Sequence, residues 1–266
     1  MSASAPRALS VLAPEDIEFF RAKGYVRVKE AFPRELALKM QDEIWEELRV
    51  DHAVVRDDRA RWEQLRKSPK RAKHSALNER LATERFVGAI TDLLGYDTWR
   101  RPGNWGGFLV TFPNGGGKPW DVPDQLWHWD GSPSAEGLLI FSFYSEVRAG
   151  GGGTLLLEGS PRVIEALYGS LSPDQLAQPH KVHRRMLSRF DPALEALMGK
   201  AREPVPDRIE TFMNRTVDVR GVPCRVVELT GEPGDAVYCN LGILHSPAPN
   251  GSEVARIMRA KFLLLE

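Results

Sequence analysis

Two hydrophobic patterns divide the chain near Trp99. Before this residue, Leu36, Met40, Ile44 and Leu48 recur four positions apart with Glu and Arg between them, which predicts an amphipathic helix. After it, short apolar runs alternate with clusters of Gly, Pro and Asn, as they do in all-β sandwiches and barrels. The pattern therefore predicts a helical N-terminal layer followed by a β-rich core.

The helical layer contains further elements. Pro14 and the acids after it open a first helix that ends at Gly24, because proline and acids suit a first turn and glycine suits a helix stop. Residues 25–28 alternate like a short strand. Residues 78–94 form a further helix that ends at Gly95.

Predicted strands of the β-rich part lie at 108–112, 137–146, 154–157, 222–229 and 255–265. The 266 residues suit a single domain, since all-β barrels often reach this length. We expect a flexible tail (1–13), a mainly helical layer (14–98) and a β core (99–266) with a helical insertion around 161–208. The predicted fold class is an all-β core with flanking helices.

Charge and composition narrow the class of protein. The chain carries 36 basic and 36 acidic residues, so its net charge favours neither nucleic acid nor a membrane surface as a partner. No apolar run approaches the roughly 18 residues of a membrane helix, and the N-terminus lacks a signal-peptide core. Two cysteines, Cys224 and Cys239, indicate a reducing compartment rather than a disulfide framework. We expect a soluble, cytoplasmic protein, whose oligomeric state the sequence does not reveal.

The main chemical signal is His128 and Asp130, two positions apart, combined with the distant His245. Side chains two apart on a strand lie on the same side of it, so these two could reach one metal together. Two histidines and one carboxylate can hold one face of an Fe(II) ion and leave the opposite face open for dioxygen and a cosubstrate. His128, Asp130 and His245 are therefore the predicted metal ligands and catalytic residues.

Arg256 stands eleven residues after His245 and is a fixed cation suited to a bidentate grip on a carboxylate. If Arg256 faces inward on the last strand, Met258 and Ala260 face inward too, while Arg259 points away. This alternation favours Arg256 over Arg259 as the anchor for the far carboxylate of 2-oxoglutarate.

Two other readings stay open. A zinc ion could also use a His-Asp-His site, as part of a hydrolase on a similar barrel, and a metal-binding barrel could act as a ligand sensor without catalysis. The presence of Arg256 beside the complete triad disfavours both. A lone histidine is more often a surface or core residue than a ligand, so no ligand role is assigned to the remaining ones: His52, His74, His180 and His183.

Motifs along nearly the whole chain carry a family resemblance. They are Glu-Phe-Phe at 18–20, the stretch 23–28, Trp-His-Trp-Asp-Gly at 127–131, Gly-Gly-Thr-Leu at 152–155, Glu-Gly-Ser at 158–160, Gly-Asp-Ala-Val at 234–237, His-Ser at 245–246 and Asn-Gly-Ser at 250–252. In this order, and followed by Arg256, they resemble the phytanoyl-CoA dioxygenase-like branch of the Fe(II)/2-oxoglutarate-dependent oxygenases. Residues 56–100 and 180–219 match least.

The resemblance implies a double-stranded β-helix, which is a cupin-like jelly roll. It also implies iron-ligand roles for His128, Asp130 and His245, a 2-oxoglutarate anchor at Arg256, and cosubstrate contacts at Thr154 and Gln125. The implied reaction uses dioxygen and decarboxylates 2-oxoglutarate to succinate and CO2 while a small organic substrate is oxidised, with hydroxylation as the default outcome. Halogenating relatives carry a small residue where this chain has Asp130, so the carboxylate favours oxygenation.

Substrate-contacting segments are less well defined. The chain departs from the family pattern at 158–161 and 246–249, where substrate or lid contacts are expected. Residues 56–73 hold eight Arg or Lys against three acids, which indicates a solvated surface or, alternatively, a contact for an anionic substrate. Residues 114–117 could form a lid, with Lys118 and Trp120 beside the substrate entrance. Trp127 and Trp129 should point away from the metal and serve packing.

Overall fold

The computed structural model describes residues 9–62, 69–113 and 119–265. Seven α-helices lie in these ranges: α1 (Pro14–Lys23), α2 (Arg34–His52), α3 (Glu84–Leu94), α4 (Ser160–Gly169), α5 (Pro173–Leu176), α6 (His180–Leu187) and α7 (Pro192–Leu197). Short 3-10 helices cover Arg59–Arg61, Ala72–His74 and Ala76–Leu81, and a π-helical turn covers Glu210–Asn214. The first three α-helices precede the β core, and the other four form the insertion.

Nine described strands form two antiparallel sheets: β1 (Tyr25–Val28), β2 (Gly107–Thr111), β3 (Gly137–Phe143), β4 (Leu155–Glu158), β5 (Val217–Val219), β6 (Val222–Glu228), β7 (Ala236–Asn240), β8 (Leu244–Ser246) and β9 (Arg256–Leu264). The five-stranded sheet has the order β1-β7-β3-β9-β2, and the four-stranded sheet has the order β5-β6-β4-β8. From β6 to β9, consecutive strands alternate between the two sheets. The predicted fold class, a jelly roll with flanking helices, is confirmed.

Strand alternation sorts the apolar side chains into three packed layers. On β3, Leu138 and Ile140 join the cluster under the N-terminal helices, whereas Leu139 and Phe141 join the cluster between the two sheets. On β4, Leu156 points into that same inner cluster. Its neighbours Leu155 and Leu157 pack outward against the insertion helices. The space between the sheets is therefore lined by one face of each strand, as the period of two requires.

The single helix predicted over 78–94 is wrong in one respect. A 3-10 helix ends at Leu81, and α3 begins only at Glu84. Thr83 separates them: its hydroxyl accepts a hydrogen bond from the Phe86 amide at 3.0 Å and donates one to the Ala31 carbonyl at 2.6 Å. A threonine that caps a helix in this way occupies the non-helical N-cap position, so the helix restarts there.

Several predictions fall outside the described ranges. They concern the glycine-rich loop 114–117, Lys118, residues 1–8 of the tail and residues 63–68 of the basic stretch. In the described part of the basic stretch, Arg56 pairs with Asp42 at 2.8 Å and Arg59 pairs with Glu253 at 3.1 Å. These exposed ion pairs match the solvated-surface reading of that stretch.

Cys224 and Cys239 are both buried and free. None of the helices in the described ranges combines the length and apolar character needed to cross a membrane.

Candidate metal centre

His128 and His245 face each other across an isolated antiparallel bridge, which joins residue 128 to strand β8. The His128 amide donates to the His245 carbonyl at 2.9 Å, and the His245 amide donates back at 2.7 Å. The regular strand expected around 128–130 is wrong, because the next bond joins the Gly131 amide to the Leu241 carbonyl. His128 therefore belongs to an isolated bridge rather than to a continuous strand.

The three predicted ligands nevertheless converge. Asp130 Oδ2 lies 3.3 Å from His245 Nε2, and one ligand atom from each of His128, Asp130 and His245 lies within 4.8 Å of the others. Metal–nitrogen and metal–oxygen bonds of roughly 2.0–2.2 Å place the ligand atoms of one ion about 3–4 Å apart. The spacing therefore fits a single ion with little rearrangement.

Backbone carbonyls determine which ring nitrogen carries a hydrogen in each of the two histidines. His128 Nδ1 lies 2.7 Å from the Leu126 carbonyl, and His245 Nδ1 lies 3.0 Å from the Ile243 carbonyl. A carbonyl oxygen only accepts, so Nδ1 carries a hydrogen in each ring, and in the neutral form of the ring Nε2 keeps its lone pair. Metal-binding histidines use this same support, in which one nitrogen donates to the protein and the other binds the ion.

Electrostatic effects favour the metal-binding charge states of His128 and Asp130. Burial lowers the pKa of His128, and the nearby His245 lowers it further, which favours the neutral ring. Burial alone would raise the pKa of Asp130, but the hydrogen bond to His245 and the charges of His245, His128 and His180 outweigh it and lower that pKa. A metal needs a neutral imidazole and an ionised carboxylate, so both shifts favour binding.

Arg256 begins β9 and is only 4% exposed. Its guanidinium donates to the Leu109 carbonyl at 3.3 Å and to the Thr111 hydroxyl, while its buried Nε has no hydrogen-bond partner among the described residues. Burial lowers its pKa to about 10, with the Glu228 carboxylate acting in the opposite direction. The side chain therefore stays cationic near neutral pH and retains a donor for a further acceptor.

The predicted alternation on β9 is confirmed. Met258 and Ala260 belong to the cluster between the sheets, whereas Ile257 packs under the N-terminal helices. Arg259 also lies on the helical side, where it donates to the Asn78 side chain and stacks 4.7 Å from the Phe108 ring. Ala260 pairs with Phe141, whose ring centroid lies 6.3 Å from that of His245. Arg256 thus shares a face of β9 with the residues opposite the triad.

The two remaining predicted contacts take different positions. Thr154 is buried, and its carbonyl accepts a hydrogen bond from the Leu229 amide at 2.9 Å. It precedes Leu156 by two residues, so strand alternation directs it toward the space between the sheets. Gln125 is exposed, and its carbonyl accepts a bond from the Ser246 hydroxyl at 3.1 Å.

Two titratable neighbours of the centre were not predicted from the sequence as part of the site. His180, at the start of α6, lies with its ring centroid 4.5 Å from that of Trp129, and its charge acts on Asp130. Glu228 acts on Arg256 and accepts bonds from the amides of Gly150 and Gly153 at 2.6 and 2.9 Å. His180 belongs to a helix that the sequence left unassigned. The only signal for it was the basic character of residues 180–185.

Both flanking tryptophans point away from the triad, as predicted. Trp127 and Trp129 are buried in the cluster formed with the insertion helices. Trp129 Nε1 donates to the Tyr168 hydroxyl at 3.1 Å, and Arg184 donates to the Trp127 carbonyl at 2.9 Å. The insertion therefore fixes, through these two hydrogen bonds, the position of the segment that carries His128 and Asp130.

Comparison with solved structures yields similar folds. The non-heme alpha-ketoglutarate-dependent carbocyclase SnoK from nogalamycin biosynthesis gives a TM-score of 0.58 at 15% identity, over 98% of this chain and 87% of SnoK. EvdO2 from Micromonospora carbonacea var. aurantiaca, complexed with 2-oxoglutarate, gives 0.54 at 14% identity, over 97% and 93%. The alpha-ketoglutarate-dependent epimerase SnoN gives 0.53 at 15% identity, over 95% and 82%.

No protein-family model matches the chain, and no curated protein matches it by sequence. At identities near 15%, the structural similarity shows the fold. The chain shares the two-sheet, helix-flanked architecture of non-heme, 2-oxoglutarate-dependent enzymes, and in it a His-Asp-His group could hold a metal ion.

Proposed function

We propose that this protein is an Fe(II)- and 2-oxoglutarate-dependent dioxygenase that oxidises a small organic substrate, with hydroxylation as the principal outcome. One observation carries the proposal: backbone carbonyls hold the Nδ1 hydrogens of two histidines, and one ligand atom of each histidine and of Asp130 lies within 4.8 Å of the others. Two imidazoles and one carboxylate form the facial triad of non-heme Fe(II) oxygenases.

His128, Asp130 and His245 would hold the metal. Fe(II) at this position would supply dioxygen activation, coupled to decarboxylation of 2-oxoglutarate to succinate and CO2, so that one oxygen atom enters succinate and the other enters the substrate. The chain itself fixes both rings through the Leu126 and Ile243 carbonyls. The His245 side chain is 8% exposed and that of Asp130 is 28% exposed, so the centre opens on the Asp130 side, where a substrate would enter.

Arg256 would bind the far carboxylate of the cosubstrate. Its unpartnered Nε and its burial make a carboxylate the natural occupant, because a buried cation gains most from an anion that also satisfies its free donor. A hydrolytic zinc centre has no comparable use for this cation. Thr154, through its position between the sheets, and Gln125, at the exposed edge, are proposed as further cosubstrate contacts.

The finer assignments rest on the motif resemblance. We place the chain in the phytanoyl-CoA dioxygenase-like branch and treat residues 1–266 as one oxygenase domain, with the insertion around 161–208 contacting the metal-bearing segment. Two buried free thiols suit a reducing, cytoplasmic location. The alternatives are a ligand sensor without catalysis and a zinc-dependent hydrolase.

Succinate formation tests the proposal. The metal-free chain is loaded with Fe(II) or with Zn(II) and given 2-oxoglutarate and dioxygen, alone and with a panel of small organic molecules. We expect Fe(II)-dependent succinate formation that a true substrate stimulates, and its loss in Asp130→Ala. Full activity in the zinc-loaded, iron-stripped sample, or in Asp130→Ala, would overturn the assignment.

A further inference from the structure

A basic groove lies beside the metal-bearing segment. It has a volume of about 460 Å³ and is lined by the cations Lys181, Arg184, Arg185, Arg189 and Lys200, with Glu195 as an acidic neighbour. Four of these cations lie on α6 or in the turn that follows it, and Lys200 comes from beyond α7. The whole chain has a net charge of zero, so this concentration of positive charge is a local feature.

The cations of the basic groove lack carboxylate partners, unlike several other arginines at the surface. In the described part of the chain, Arg34, Arg49, Arg148 and Arg215 each lie within 3.1 Å of a carboxylate. None of the five groove cations has a carboxylate within 4.0 Å among the described residues. Lys181 and Arg185 also stand four residues apart on α6, where like charges repel. An anion in the groove would relieve this repulsion.

Arg184 connects the basic groove to the metal centre. Its side chain lines the groove and donates to the carbonyl of Trp127, the residue directly before His128, at 2.9 Å. Its charge also acts on His128 and on His180. Arg184 therefore joins the basic groove to the chain segment that carries the predicted ligand His128.

We propose that the basic groove binds a phosphate group of the substrate and so orients the carbon part of that substrate toward the metal centre. This deepens the proposed oxygenase function and rests on it. The chemistry favours phosphate: a guanidinium presents a planar fork that matches phosphate oxygens in a bidentate fashion, and a lysine adds a mobile point charge. A concave groove with a single cluster of cations suits a small phosphate ester better than a nucleic acid, which would need an extended basic surface.

Phosphate titrations followed by 31P NMR test the basic groove in the full, metal-free chain. The probes are phenyl phosphate and inorganic phosphate. The groove variant combines Lys181→Gln, Arg185→Gln and Arg189→Gln, all exposed positions; the control combines Lys29→Gln, Lys39→Gln and Arg80→Gln, which remove the same charge from exposed positions in the N-terminal layer. We expect saturable 1:1 binding of phenyl phosphate, at least tenfold weaker in the groove variant and unchanged in the control.

The two probes separate the possible sources of the anion. A substrate site should bind phenyl phosphate at least as tightly as inorganic phosphate, because the carbon part gains contacts beside the metal segment. Tighter binding of inorganic phosphate would contradict a substrate role. Absence of binding, or equal weakening in both variants, would overturn the site, and binding of polyglutamate without phenyl phosphate would assign the groove to an acidic protein.

The proposals for the metal site and for the basic groove can be tested independently of each other. Asp130→Ala removes a predicted iron ligand and should leave phenyl phosphate binding unchanged. If phenyl phosphate binds in the groove but the triad takes up no Fe(II), the oxygenase function is wrong, and with it the assignment of the anion to an oxygenase substrate. If the triad takes up Fe(II) and the groove binds no phosphate, only the substrate class is wrong.

Discussion

His128 and His245 are held by equivalent hydrogen bonds, each from Nδ1 to the backbone carbonyl two residues earlier. For His128 the acceptor is Leu126, whose φ of 66° is a left-handed conformation. Such a conformation is unfavourable for a leucine, and backbone strain of this kind concentrates at functional sites. The same loop conformation that turns the Leu126 carbonyl toward the ring thus fixes the direction of His128 Nε2.

Replacement of Arg256 tests the cosubstrate anchor. Arg256→Met keeps the length and apolar stem of the side chain but removes the charge that would bind the carboxylate. Loss of a charged hydrogen-bonded pair costs about 1.5–3 kcal/mol, or roughly 10- to 150-fold in affinity, so the dissociation constant of 2-oxoglutarate measured by calorimetry should rise by at least tenfold.

Arg215→Met is the matched control, because Arg215 is exposed and pairs only with Glu210 at 2.7 Å. It should bind 2-oxoglutarate as the native chain does. Unchanged affinity in Arg256→Met would remove the anchor assignment.

Residue spacing alone brought the triad and Arg256 together as candidates, because ligand type, the two-residue step and the strand period are all readable from sequence. Neither His180 nor Glu228 could be found that way. His180 approaches Asp130 only because α6 docks on Trp127 and Trp129, and Glu228 acts on Arg256 across strands that lie in different sheets. Both contacts depend on tertiary packing rather than on a local pattern.

At the scale of elements, the junction between α1 and β1 shows how a turn residue positions the core. Gly24 has a φ of 90°, ends α1 and accepts a hydrogen bond from the Asn240 amide at 2.8 Å. A Cβ at Gly24 would lie 2.6 Å from Pro161 and 2.8 Å from Ile243. Glycine is therefore required both by the left-handed turn and by the close approach of the segments that flank β4 and β8.

Gly24→Ala should destabilise the fold by about 2–4 kcal/mol, the sum of a left-handed alanine and an overpacked contact. Urea unfolding measures the effect. Gly169→Ala is the control, because Gly169 closes helix α4 and a Cβ there would meet nothing within 4 Å; its stability should stay within about 1 kcal/mol of the native value or rise slightly. Equal stabilities of the two variants would contradict the role given to Gly24.

Periodic elements were predictable, and interrupted ones were not. The fourfold repeat in α2 and the apolar runs at 137–146 and 255–265 place these elements close to their observed bounds. The prediction of one continuous helix over 78–94 was wrong because Thr83 donates a hydrogen bond to the carbonyl of Ala31, a residue far away in sequence. The regular strand expected at residues 128–130 is not formed, because His128 makes only an isolated bridge to His245, and that pairing is set by tertiary packing.

Across the whole molecule, three apolar layers pack between and around the two sheets. One lies between the sheets, the N-terminal helices cover the outer face of the five-stranded sheet, and the insertion covers the outer face of the four-stranded sheet. The insertion also carries the basic groove and His180. Its position was predictable only as a region, since its short helices lack a long periodic pattern.

The reactivity of the two thiols, Cys224 and Cys239, depends on whether this packing is intact. Burial raises the pKa of Cys224 to about 12 and raises that of Cys239 as well. Both thiols should therefore stay protonated in the native chain at pH 8 and react with a thiol-specific reagent many-fold more slowly than in denaturant. Rapid modification of either thiol in the folded protein would contradict the packing.

The same shift predicts how stability depends on pH. A folded-state pKa raised above its unfolded value stabilises the fold below the unfolded pKa, near 9, and this contribution is lost as the pH rises toward 12 because only the unfolded chain ionises in that window. Replacing Cys224 by Ala should flatten the fall in unfolding free energy between pH 9 and pH 11, measured by urea titrations. A slope identical to that of the native chain would contradict the shift.

An anaerobic titration of the metal-free chain with Fe(II) and then 2-oxoglutarate shows whether the triad and Arg256 act on one metal, and it needs no knowledge of the substrate. We predict a weak visible charge-transfer band that saturates at one Fe(II) per chain in the native protein. The band should be absent with Zn(II), absent in Asp130→Ala, and shifted to higher 2-oxoglutarate concentration in Arg256→Met. A native chain that yields no band at saturating Fe(II) and 2-oxoglutarate, or an Asp130→Ala variant with an unchanged band, would contradict the account.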